Sequence, residues 1–368
     1  MTAMPMKRPI TRFYALDTLR GLAAFLVIIF HFGIWHHRDF ERPPLESWLP
    51  ILYTNGWMMV DLFFCLSGFI FFWKYSGTIY EKNIGFKKFI FLRFSRLYPL
   101  HIVTLIIVGV GQLFVYLSDK EYFIFQLNDL KHLLLNIFFM SYWGFEDGYS
   151  FNGPVWSVSI EILLYLVFYF CCFRLKPTYF FLPVLMITLG WLLLSGDYHF
   201  ILFNTMVGRG LISFFAGGLS YQIFRMAIAC HQKIYLGIVI LAGCTALTFW
   251  AALNSLHFNF TAWFNEIVFL IGFPSTVLLL AFLDAEKVFE VIFKKLSYLG
   301  DISYGIYLIH FPVQILFHLA SKQFQIDYSR TETFLLYLAC TLGLAMASHR
   351  FFEIPCQRYL RSKFSSGQ

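Results

Sequence analysis

Ten predominantly apolar stretches recur along the chain, at residues 16–35, 57–74, 98–117, 154–173, 179–195, 207–224, 234–253, 265–283, 300–320 and 332–351. About 20 helical residues cross the apolar core of a bilayer. The pattern therefore predicts an all-α, polytopic integral membrane protein of about ten transmembrane helices. An eleventh apolar run, near 131–145, is too short to cross and is expected to be a re-entrant or interfacial segment. The expected organisation is a segment 1–15, a transmembrane domain 16–351 and a tail 352–368. No connecting loop is long enough for a second soluble domain, and no fixed-period repeat is visible.

The polar exceptions inside these stretches carry the chemistry. The first stretch reads LDTLRGLAAFLVIIFHFGIW and holds Asp17, Arg20 and His31. Ionisable groups at membrane depth are costly and point to function. Arg20 and His31 are eleven positions apart, which places them on one helix face about 16 Å apart along the axis. Gly21, Ala23 and Ala24 lie near that stripe and would let a neighbouring helix or a ligand approach closely. On these residues alone, the span is either an ordinary one with interfacial charges or a polar seam with a task.

Composition supports the membrane assignment. Of 368 residues, 59% are hydrophobic and 13% charged, against about 25% charged in soluble domains. The basic start, Lys7, Arg8 and Arg12, leads into a first stretch too long for a cleavable signal, so that span should be retained. With ten spans, twenty of the 28 lysines and arginines fall on one side and seven on the other. Counting 131–145 as a span erases this asymmetry. The rule that cytoplasmic loops are positive thus predicts ten spans, both termini cytoplasmic, in a bacterial inner membrane. The net charge of +7 is explained by orientation and does not indicate nucleic-acid binding. The seven cysteines show no CxxC or Cys/His ligand spacing, and neither a disulfide framework nor a metal site is expected.

Depth sorts the remaining polar residues into two groups. Asp61 in VDLFFCLSGF, Glu161 in GPVWSVSIEILLYL and His310 in ISYGIYLIHFP are expected in the outer halves of their spans, near the level of His31. A histidine with a carboxylate partner makes a general base, because the carboxylate fixes the tautomer and stabilises the imidazolium. Asp61 or Glu161 is expected to hold His31 in this way. Asp61 could equally cap its helix, Glu161 make a structural hydrogen bond, and His310 fill a helix-end contact. At the inner end, Arg93 and Arg96 in FLRFSRLYPLHI share a helix face, preceded by Lys87 and Lys88. Guanidinium groups suit phosphate, although these cations could also simply face anionic lipid heads.

In order and spacing these motifs resemble the membrane-bound acyltransferase-3 family, which includes bacterial polysaccharide O-acetyltransferases. They are the R-x10-H pair Arg20/His31, LSGF, the RxxR pair Arg93/Arg96, WSxxxE, YLIHFP and HRFFEIP. The resemblance covers roughly residues 12–360. It implies transfer of an acyl group, most often acetyl from acetyl-CoA, to a hydroxyl on a cell-surface or exported glycan. It also implies His31 as the catalytic residue, Glu161 as the glutamate of WSxxxE, and Arg20, Arg93 and Arg96 as donor contacts; Asp61, by its depth, is expected to join the catalytic group, and Lys88, by its charge, the donor contacts. Trp156, Ser157, Tyr304 and His310 are then expected on the acceptor side. Acyl-CoA would be a substrate, with no cofactor held permanently. A succinyl or longer acyl group, and a two-step route through an acyl-histidine, stay open. Some relatives carry an extra esterase-like domain that is not expected here, so this chain should act alone or with a separate partner. The rival class is a multi-pass transporter or glycolipid flippase.

Overall fold

The computed structural model describes residues 10–35, 43–176, 179–196, 199–230, 232–255 and 267–366. Residues 1–9 of the expected first segment, Arg38, Arg42, positions 265 and 266, and the last two residues lie outside these.

Helices account for nearly all of the regular structure. In chain order they are α1 (Tyr14–Trp35), α2 (Pro50–Asn55), α3 (Met59–Tyr80), α4 (Phe86–Asp119), α5 (Leu130–Ile137), α6 (Trp156–Arg174) and α7 (Phe181–Ser195). They continue as α8 (Thr205–Ala229), α9 (Gln232–Ser255), α10 (Phe273–Ala285), α11 (Glu290–Leu296), α12 (Tyr298–Phe324), α13 (Thr331–Ser348) and α14 (Ile354–Ser366). A small hairpin pairs His199–Phe200 with Phe203–Asn204. Among the described residues, eight helical segments are long and apolar enough to cross a membrane, and Phe181–Ser195 and Tyr235–Leu247 are shorter apolar helices. Each apolar stretch of the sequence lies on one of these ten.

The short segment near 131–145 contains α5, whose eight residues reach only about 12 Å. Its Asp129 cap accepts the His132 backbone N–H at 2.9 Å. The backbone then runs through loop to a 3-10 turn at Gly153–Val155. The expected tail is not a loose extension. A π-turn at His349–Glu353 joins α13 to α14, and α14 lies along the start of α4, with Phe364 stacked on Phe91 at 4.1 Å.

Helix contacts at glycine fix the centre of the bundle. A side chain at Gly21 would meet the backbone of Leu299 and Gly300, and one at Gly300 would meet the backbone of Asp17. These positions let α1 and α12 cross almost backbone to backbone, as small residues do in membranes. Ala23 and Ala24 are fully buried alongside, so the small-residue stripe of α1 is largely a packing seam. Gly68 and Gly217 act likewise between α3 and α8, each facing the other helix's backbone at Phe214 and Cys65. The start of α1 is held by Asp284 of α10, which accepts the Ala15 N–H at 2.8 Å. Arg12 bridges Asp17 and Asp301 at 2.6 and 2.8 Å, tying α1 to α12 again.

Candidate active site

Two cavities open beside the central helices. The first, about 120 Å³, lies towards the Arg12 end of α1. Arg20 of α1, Arg93 and Arg96 of α4, and Ser67 and Glu161 of α3 and α6 line it. Glu161 accepts a hydrogen bond from Ser67. Arg93 bonds the Tyr75 hydroxyl and lies over the rings of Tyr75 and Phe71 at 5.0 and 5.2 Å. Arg20 reaches Asp17 at 3.4 Å, but that carboxylate is also engaged by Arg12. Three guanidinium groups therefore face one carboxylate in a confined space, an excess of positive charge that an anionic ligand would balance. Lys88, expected with this group, is exposed and outside the cavity lining.

The second cavity, about 910 Å³, adjoins the other end of α1 and contains His31. His31 Nδ1 lies 3.2 Å from His310 Nε2, with the rings nearly parallel at 4.9 Å. The contact holds the two ring planes against each other. Burying both rings as imidazolium ions side by side would be strongly opposed.

The two expected carboxylates stand elsewhere. Asp61 is fully buried and bonds Arg209 of α8 in a fork, Oδ2 to Nη2 at 2.5 Å and Oδ1 to Nε at 3.3 Å, with Ser213 at 3.5 Å. Glu161 lies in the arginine cavity. It is five residues along α6 from Trp156, about 7.5 Å of helix rise, and that displacement carries it past the wall between the cavities. The acceptor-side residues divide in the same way. Trp156 lines the His31 cavity, whereas Ser157 and Tyr304 line the arginine cavity, together with Tyr307.

That wall is thin. Val60 lines both cavities. Beside it the Tyr307 hydroxyl donates to the Pro154 carbonyl and pairs with Ser157 Oγ, both at 2.7 Å. The Tyr307 ring stands 5.8 Å from that of His310. Tyr304 ties α12 to α4 through the Leu97 carbonyl at 2.7 Å. Among the described residues no cluster of three or more His, Cys, Asp or Glu forms a metal-binding group.

Arg209 is the residue that sequence reasoning missed. Its side chain is only 13% exposed and lies over Trp57 and Trp156 at 4.8 and 5.2 Å. The available signal was Asp61. A buried carboxylate near the start of one span calls for a cation at matching depth on another, and Arg209 opens the stretch 207–224.

The described residues thus form a helical bundle with a histidine cavity and an arginine cavity across one shared wall. The chain matches the model of the acyltransferase-3 family, an acyltransferase domain, over residues 13–350 and belongs to that family. It is similar to the peptidoglycan O-acetyltransferase OatA of Listeria monocytogenes, 25% identical over 94% of this chain and 56% of that protein. The O-acetyltransferase OatA of Staphylococcus aureus is 25% identical over 93% of this chain and 57% of its own length. A further relative, protein 2 in the picA locus of Rhizobium radiobacter, is 37% identical over 27% of this chain and 46% of its own. The chain thus spans just over half the length of the two O-acetyltransferases. No solved structure matches it.

Proposed function

We propose that this chain is an O-acyltransferase that moves an acyl group, by default acetyl from acetyl-CoA, to a hydroxyl of a cell-surface or exported glycan. The observation that carries this reading is the pair of cavities meeting at Val60, one rich in guanidinium groups and the other holding His31. The relatives named as O-acetyltransferases, one of them acting on peptidoglycan, support the acyl group and the glycan acceptor.

In this reading Arg20, Arg93 and Arg96 hold the donor. A volume of about 120 Å³ is below the roughly 300–1,000 Å³ of a typical ligand site, so it takes only part of the donor, with phosphate at the guanidinium groups and the thioester arm directed towards Val60. The acceptor hydroxyl enters the larger cavity. His31 removes its proton, and the alkoxide oxygen attacks the thioester carbonyl carbon. The carbon–sulfur bond breaks, and the thiolate leaves towards the arginines, taking up the proton from His31. His310 takes the orienting part expected of Asp61 or Glu161. It holds His31 at Nδ1, which leaves Nε2 to take the acceptor proton.

The catalytic unit is the transmembrane domain 16–351, placed in the bacterial inner membrane with both termini cytoplasmic and the arginine cavity facing the cytoplasm. The positive-inside count supports that orientation. Purified chain in nanodiscs, supplied with radiolabelled acetyl-CoA and a glycan acceptor, tests the reading. Label should pass to the glycan with the wild-type chain and not with His31→Ala. Equal transfer by a correctly inserted His31→Ala variant would refute it.

A further inference from the structure

The His31 cavity has a second polar centre that the proton transfer does not use. Arg209 stands on its wall, held in a fork by buried Asp61 and clasped by Trp57, Trp156 and Phe269, the last at 6.0 Å. Phe269 belongs to a π-turn at Val268–Gly272, a local irregularity common at functional sites. Asp61 satisfies the Nε and Nη2 side of the guanidinium. Nη1 meets the Met206 thioether at 3.6 Å, and a thioether is a weak acceptor. A fixed, partly buried donor edge is thus left with hydrogen-bonding capacity at the cavity surface.

The rest of the lining narrows the ligand class. Trp57 and Tyr149 contribute aromatic surface and the exposed Glu121 a carboxylate, whereas the Gln126 amide is spent on the Tyr122 backbone. Flat aromatic faces with planar polar groups at their edges suit a sugar ring, whose C–H face stacks while its hydroxyls bond sideways. The charge of Arg209 is already balanced by Asp61, and Glu121 adds a negative group at the mouth. The cavity therefore offers no excess positive charge to an acidic sugar. Its volume of about 910 Å³ is near the top of the typical range, room for a ring together with linked neighbours.

On the reading of this cavity as the acceptor chamber, we propose that Arg209, with Trp57 and Tyr149, forms a subsite for a neutral pyranose ring and sets which hydroxyl is presented to His31. Arg209 is a specificity-determining and positioning residue, and Asp61 acts through it.

The test is binding without donor. Wild-type chain in nanodiscs is titrated with chitotetraose, a neutral pyranose oligomer, and with tetragalacturonate, an anionic one, and followed by saturation-transfer NMR. Chitotetraose should bind and tetragalacturonate should bind at least fivefold more weakly. Arg209→Lys keeps the charge but loses the fork, and should weaken chitotetraose binding at least tenfold while acetyl-CoA binding stays within twofold. Tyr149→Ala leaves the Asp61–Arg209 pair intact and should weaken it about fivefold, which decides the matter if Arg209→Lys does not assemble. Absence of chitotetraose binding, a preference for tetragalacturonate, or unchanged binding in both variants would overturn the subsite. Failure of the acyltransfer reading would instead show as no labelled acetyl on any glycan with wild-type chain, and would leave this binding comparison standing.

Discussion

His31 on α1 and His310 on α12 meet nitrogen to nitrogen at 3.2 Å, at the far end of a helix pair that crosses at Gly21 and Gly300. The contact makes His310 the positioning partner of the proposed base. His310→Ala should lower the transfer rate at least 100-fold with little change in donor KM, within the range of general-base contributions. His310→Asn keeps a hydrogen-bonding group at that place and should restore part of the loss. The check is the kcat and donor KM of both variants. A proportionate loss of donor binding would indicate a structural role instead.

The arginine cavity separates two donor contacts by chemistry. Arg93 is stacked on Tyr75 and Phe71, a geometry that lysine cannot reproduce. Arg93→Lys is therefore expected to raise the apparent KM for acetyl-CoA about tenfold or more. Lys88→Ala, at an exposed position, should change it less than threefold. Isothermal titration of CoA against both variants checks the ordering.

Gly68 faces the α8 backbone, whereas a side chain at Gly77, on the same helix, would meet nothing within 4 Å. Gly68→Ala forces α3 and α8 apart and should destabilise the fold by about 1–3 kcal/mol, as overpacking does. Gly77→Ala should be neutral or slightly stabilising, since alanine favours helix by up to about 1 kcal/mol. Thermal unfolding of the two variants in detergent reads the difference.

A pH effect is expected at α5. Asp129 accepts the backbone N–H of His132 and also contacts its ring, and these bonds hold its carboxyl below the usual range. The folded segment thus binds fewer protons than the unfolded one near the ordinary value of about 3.9. Its stabilisation is fully present above about pH 4 and drains away as pH falls through the lowered folded value. Asp129→Ala should speed hydrogen exchange over residues 130–137 about fivefold at pH 7, the worth of a helix cap of about 1 kcal/mol. The difference from wild type should shrink at acid pH, after correction for intrinsic rates.

Much of the fold was legible because bilayer thickness dictates the length of apolar runs. The run near 131–145 was recognisable as too short to cross for the same reason. Placing His31, His310, Arg93 and Arg96 by depth also grouped them usefully, since helix rise converts sequence spacing to height. Depth says nothing of azimuth, however. Asp61 and Glu161 were placed at the level of His31, but rotation around their helices turned one to Arg209 and slight further depth took the other beyond Val60. The pairing of Asp61 with Arg209 spans 148 positions and depends on the α3–α8 crossing, which a hydropathy pattern does not encode. The same holds for the stripe of Gly21, Ala23 and Ala24, which suits a ligand path and a helix seam equally until α12 is seen packed on it.

The central claim is that His31 takes the proton of a glycan hydroxyl while acyl-CoA occupies the arginine cavity. Its most direct test is a single-turnover assay in nanodiscs with radiolabelled acetyl-CoA and a glycan acceptor, comparing wild type with His31→Ala. The variant should still bind donor but transfer at least 1,000-fold less label. Transfer at the wild-type rate by the inserted, donor-binding variant would contradict it.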